Sequence, residues 1–128
     1  MYIYYNPNPA GRNVGDCAVR AVAKALGVSW EEAYDLLAQA AFDMADLPSS
    51  NSVIGAVLRE HGYYRYAVPN TCPDCYTAAD FARDHPKGTY VLCFGNHVCT
   101  IYNGNVFDSW DSSAECPQFY WSEKLLDD

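Results

Sequence analysis

The sequence is short of basic charge. Lys and Arg number 8 against 16 Asp and Glu, a formal net charge of -8 over 128 residues. A groove that tracks a phosphate backbone needs a positive surface, so nucleic acid is excluded as an expected direct partner. The acidity suits a soluble surface, or basic peptide ligands. No apolar run is long enough to cross a membrane, and the opening Met1-Tyr2-Ile3-Tyr4-Tyr5-Asn6-Pro7 lacks the basic-then-apolar pattern of an export signal. The expectation is a cytoplasmic protein with no membrane partner. Free thiols then follow for the six cysteines at 17, 72, 75, 93, 99 and 116, because disulfides belong to oxidising compartments. Repeats, low-complexity tracts and a Gly-rich phosphate loop are also missing.

What is present is a globular composition. Hydrophobic residues make up 50% and charged residues 19%, which suits one domain over residues 1–128 with a single core. Eleven tyrosines fit a sheet-rich half with amphipathic faces, or a substrate groove.

Hydrophobic period and punctuation give the order of elements. A short strand at Tyr2 to Tyr5 leads into the Pro- and Gly-rich loop from Asn6 to Gly15. Asp16 reads as the cap of a helix from Cys17 to about Leu26, with Val19, Val22, Ala23 and Leu26 as one buried stripe and Gly27 as the stop. Ser29 with Glu32 is a capping box, opening a helix to about Ala41. A third helix is predicted from Ser52 to His61, a strand from Tyr63 to Val68, a loop from Pro69 to Cys75 and a short helix from Thr77 to before Pro86. Strands follow at Thr89 to Phe94, His97 to Tyr102 and Asn105 to Asp108, with Asn103-Gly104 as a two-residue hairpin turn, and another at Gln118 to Trp121. Helices first and strands last give an α+β domain, its N-terminal helices packed on a C-terminal antiparallel sheet.

Three residues form a constellation. Cys17 lies in the first turn of a helix, where the partial positive charge stabilises a thiolate. A cysteine there is by default a small buried residue. His97 opens a strand after the Gly95-Asn96 turn and faces the rim of the sheet. Pairing outward from Asn103-Gly104 sets Tyr102 opposite Asn105 and brings Asp108 near Cys99, two residues from His97. An Asp within reach of the His97 Nδ1 fixes its tautomer for proton transfer.

These residues resemble a known group. Gly15-Asp16-Cys17-Ala18-Val19-Arg20-Ala21-Val22 is similar to the cysteine helix of small bacterial and phage papain-like cysteine peptidases. Asn96-His97-Val98, Val106-Phe107-Asp108-Ser109-Trp110-Asp111-Ser112 and the run from His85 to Tyr90 resemble their histidine and acid strands with the lead into them. The resemblance implies a papain-like fold and a Cys17–His97–Asp108 triad but no particular substrate; the chemistry expected of such a triad acts on a peptide or protein and requires no cofactor or metal. One position departs: where such enzymes carry an oxyanion-binding glutamine six residues before the cysteine, this chain has Gly11. Asn13 and Asn8 are the candidates to replace it, Asn13 ahead, and turn formation accounts for either as well.

Other features have simpler readings. Asp111 rivals Asp108 but falls in the loop beyond the strand. Trp110 walls the site or packs in the core. His85 before Pro86 suits a helix end, and His61 at a helix C-terminus is favoured by the dipole. Cys72-Pro73-Asp74-Cys75 is half of a zinc or redox motif, but no second ligand pair is spaced to complete a zinc site, and a loop clasp or buried thiols explain it better. The expected function is a thiol hydrolase, a peptidase acting through a thioester. Transglutaminase-type acyl transfer or deamidation at the same triad is the first alternative, and a non-catalytic acidic binding or inhibitor protein the second.

Overall fold

A computed structural model describes residues 1–68 and 75–123. Its elements run β1 (Tyr2–Tyr4), α1 (Cys17–Leu26), α2 (Trp30–Met44), α3 (Asn51–Glu60), β2 (Tyr64–Ala67), α4 (Ala78–Asp84), β3 (Thr89–Cys93), β4 (Val98–Tyr102), β5 (Asn105–Asp108) and β6 (Phe119–Ser122). The chain is α+β. Of the predicted loop from Pro69 to Cys75, residues 69–74 lie outside the described residues.

Local chemistry explains most of the boundaries. Gly27 ends α1 at φ 67°, a left-handed conformation that favours glycine. Ser29 caps α2 by accepting the Glu32 N–H at 3.1 Å, but the Glu32 carboxylate takes the Ser29 hydroxyl, so the predicted box forms only half. The reciprocal box forms instead at Thr77 and Asp80, opening α4. Past Ala41 no Gly or Pro interrupts α2, and it runs on to Met44. The Asn103-Gly104 turn has positive φ at both residues, 49° and 78°, as a tight hairpin between right-twisted strands needs. It sets Tyr102 opposite Asn105 and Thr100 opposite Phe107.

The sheet order is β1-β5-β4-β3-β6-β2. Two features correct the expected antiparallel C-terminal sheet. β1 enters from the N-terminus and pairs parallel to β5, with Tyr4 opposite Asp108. α4 covers the second sheet face, so helices flank both sides. Val91, Cys93, Val98 and Trp121 face the cluster built with α1, α2 and α3, while Leu92, Cys99, Ile101 and Val106 face Phe81 and Ala82 of α4. β3 therefore reads as a continuous apolar run rather than an alternating one.

α1 is also more enclosed than a single stripe implies. Every residue from Ala18 to Ala23 is buried, Arg20 included. Thr100 of β4 is fully buried, and its hydroxyl donates to the Ala21 carbonyl at 2.8 Å, fixing the helix against the sheet. That enclosure carries the start of α1 to the rim where β4 begins and β5 ends.

Candidate active site

The start of α1 is not capped by a side chain, which corrects the reading of Asp16 as a helix cap. Asp16 Oδ1 accepts Arg20 Nη1 at 2.8 Å, and its Oδ2 accepts Trp30 Nε1 at 2.9 Å. A buried guanidinium one turn along offers a charge-assisted bond that a neutral backbone N–H cannot match. The first turn of α1 thus has no side-chain cap, and the positive end of the helix dipole lies at Cys17.

β5 delivers Asp108. Its carbonyl accepts the Tyr5 N–H at 2.8 Å and the Tyr2 hydroxyl at 3.2 Å, so β1 locks its backbone. The carboxylate is fully buried and takes four donors. Oδ2 accepts His97 Nε2 at 2.7 Å and the Ser112 hydroxyl at 2.6 Å; Oδ1 accepts the Ser109 N–H at 2.8 Å and Arg20 Nη2 at 3.1 Å. Burial works to raise its pKa, but the bonds from His97 and Ser112 and the charge of His97 outweigh it and hold Asp108 below the usual carboxylate value.

His97 precedes β4, with its carbonyl accepting the Phe94 N–H at 2.8 Å. The ring lies near-parallel to Phe94 at 5.9 Å and against Trp110 at 4.9 Å. Its bond to Asp108 runs through Nε2, not Nδ1 as the sequence reading had it. The ring orientation depends on where helix and strand ends meet, which no linear pattern shows. This leaves Nδ1 for the Cys17 thiol. Burial lowers the His97 pKa, while the hydrogen bonds with Asp108 and Cys17 more than reverse that and push it up to about 9. At Cys17 burial raises the pKa, but the His97 bond, the Val98 N–H and the charges of His97 and Arg20 bring it below the ordinary thiol value.

A cleft of about 550 Å³ opens over these groups, lined by Cys17, His97, Asn13, Asn51, Ile54 and Trp110 among others. Asn13 is exposed within it. Asn8 is not part of that lining. Its Oδ1 accepts the Ala10 and Arg12 N–H groups at 2.9 and 3.3 Å, and its Nδ2 points to Asp16, so it shapes the loop. Trp110 is 46% exposed, at the mouth and outside the core. Asp111 is exposed and bonded to Ser113. His85 and His61 each place Nδ1 2.8 Å from a carbonyl one turn earlier, those of Phe81 and Val57.

The free-thiol expectation is corrected at one pair. Cys75 and Cys116 form a disulfide between Cα atoms 6.3 Å apart. It joins the segments whose backbones already meet through Ala78 N–H to Glu115 and Ala79 N–H to Ser113. Cys72 lies outside the described residues. Cys17, Cys93 and Cys99 are free.

No protein-family model, curated protein or solved structure matches this chain. Sequence reasoning passed over Arg20, Ser112, Phe94 and Asn51. Only Arg20 carried a signal: an arginine amid apolar helix residues, four after an aspartate. Among the described residues no helix is long and apolar enough to cross a membrane.

Proposed function

We propose that this chain is a papain-like cysteine hydrolase, a peptidase, with Cys17 as nucleophile, His97 as acid and base, and Asp108 as the orienting carboxylate. The observation that carries the reading is the 2.7 Å bond from His97 Nε2 to a fully buried, four-donor Asp108, which holds the ring beside a thiol at a helix start.

In the resting site the proton of Cys17 sits on His97, giving a thiolate and an imidazolium. The thiolate attacks the scissile carbonyl carbon, and the carbonyl electrons move onto oxygen. In this reading the Cys17 N–H and the side-chain amide of Asn13, which lines the same cleft, bind that oxyanion. As the tetrahedral adduct collapses, the C–N bond breaks and His97 protonates the leaving amine, so a thioester remains on Cys17. Neutral His97 then takes a proton from water, hydroxide adds to the thioester, and the acid leaves with the thiolate restored. Trp110 shields the His97–Asp108 pair at the mouth.

The test is the pH dependence of iodoacetamide alkylation at Cys17, located by peptide mass spectrometry. The wild type should label quickly below neutral pH. His97→Ala should label slowly and accelerate only near about 8.5, the free-thiol value. Slow labelling in both proteins removes the proposal. Turnover carries a second signature. Leaving-group protonation needs the imidazolium, which persists below its raised pKa and is lost above it. Peptide kcat/KM should therefore fall as pH rises through about 9, whereas alkylation should not.

A further inference from the structure

A second cleft of about 410 Å³ adjoins the first. Asn51, at the start of α3, lines both, and its Nδ2 donates to the Gly95 carbonyl at 3.1 Å, tying the wall between them to the turn before His97. The second cleft lies between α3, β2 and β6, with Arg59, Arg65, Phe119 and Trp121 among its walls and no Asp or Glu in its lining. In a chain with 16 acidic and 8 basic residues, two arginines converging on one carboxylate-free cleft oppose the overall charge.

The geometry keeps both guanidinium groups available. Arg59 and Arg65 are exposed, and among the described residues neither pairs with a carboxylate. The Arg65 Cζ sits 4.0 Å over the Phe119 ring, a cation–π contact that helps hold the side chain in place while using none of its five N–H donors on a carboxylate. Trp121 is held close beneath α3, its Nε1 3.3 Å from where a side chain on Gly55 would begin, so the floor is fixed. An ordered, planar, cationic fork matches a carboxylate.

We infer that this cleft receives a carboxylate of the peptide substrate, held by Arg59 and Arg65, and that the site thereby selects chains with an acidic group near the bond attacked by Cys17; the inference rests on the peptidase reading above. The carboxylate belongs to an Asp or Glu side chain or to the chain terminus, and one experiment separates these sources.

Four short glycine-flanked peptides, with Glu or Gln at the central position and each as C-terminal acid or amide, are titrated into the full-length Cys17→Ala protein. Trp121 indole and arginine Nε–H resonances are followed by NMR. The Glu amide, the Gln acid or both should bind about five- to tenfold more tightly than the Gln amide, with the preference weakening as salt rises. Arg59→Gln, Arg65→Gln and their double variant should progressively remove it. Equal affinity for all four peptides, no saturable shift with any, or a preference that survives in the double variant overturns the inference. An unreactive wild-type Cys17 would sink the hydrolase reading and leave this binding measurement standing. Conversely, iodoacetamide labelling of Cys17 should be the same in the double variant as in the wild type. With both sound, an iodoacetylated form of the preferred peptide should alkylate wild-type Cys17 several-fold faster than its Gln amide counterpart.

Discussion

Cys17→Ala should abolish the burst of nitrophenolate that the wild type releases from p-nitrophenyl acetate, and with it the acetyl group found by mass spectrometry on the Cys17 peptide. A small activated ester tests the thiol without requiring the peptide specificity to be known. His97→Ala should slow acylation by about 10²–10⁴-fold, the range for a lost acid–base group. Its thiol loses both the hydrogen bond and the positive charge that bring the Cys17 pKa down. The double variant should be no slower than Cys17→Ala alone, because groups acting on one proton are not additive. Cys17 is a small, half-buried side chain at the edge of the cluster of α1, α2 and α3, so Cys17→Ala should change the melting temperature little, whereas His97→Ala takes a donor from buried Asp108 and should lower it. Ester turnover that survives in Cys17→Ala would remove the thiol from the chemistry. A wild type with no burst and no acetylated peptide would favour a non-catalytic role.

The parts of the site that could be read in the sequence are those fixed by local rules. Gly27 settles where α1 ends, and the Asn103-Gly104 turn settles how β4 and β5 pair. From those ends alone Cys17, His97 and Asp108 fall at one rim of the sheet. Non-local choices escaped. Asp16 has the composition of a helix cap, and only the folded chain puts a buried guanidinium where it draws the carboxylate away from the backbone. The choice of Nε2 over Nδ1 depends on the angle between a helix end and a strand end. β1 joins β5 in parallel across more than a hundred residues, and the Cys75–Cys116 pairing spans 41, separations over which spacing patterns are silent. Arg20 went unread because burial is not a property of helical period alone. α1 is enclosed on every side, so a position off the apolar stripe is buried too.

Arg20→Met should be the most destabilising single change near the site, about 3–5 kcal/mol at neutral pH by urea denaturation. The guanidinium joins two carboxylates that, among the described residues, pair with no other cation of fixed charge: Asp16 at 2.8 Å and Asp108 at 3.1 Å, with all three side chains nearly or wholly buried. Methionine keeps much of the volume and the apolar stem, so the loss isolates charge from packing. The sign of the pH dependence discriminates further. The pKa of Asp108 in the fold is below its ordinary value, so its ionised form contributes stability above that value and loses it as pH falls through the lowered one. In Arg20→Met the buried Asp108 carboxylate has lost its fixed cation, and protonating it relieves the loss. The stability gap between wild type and variant should therefore narrow as pH falls from neutral toward about 4, near the ordinary carboxylate range. A cavity or a packing fault would give the same gap at both pH values, and that outcome would reduce Arg20 to filler. Arg20→Lys should fall between, since an ammonium reaches one carboxylate but cannot span two with a planar fork. Because Arg20 also helps lower the Cys17 pKa, the alkylation profile of Arg20→Met should move to higher pH, tying the stability of this buried bridge to the reactivity of the thiol.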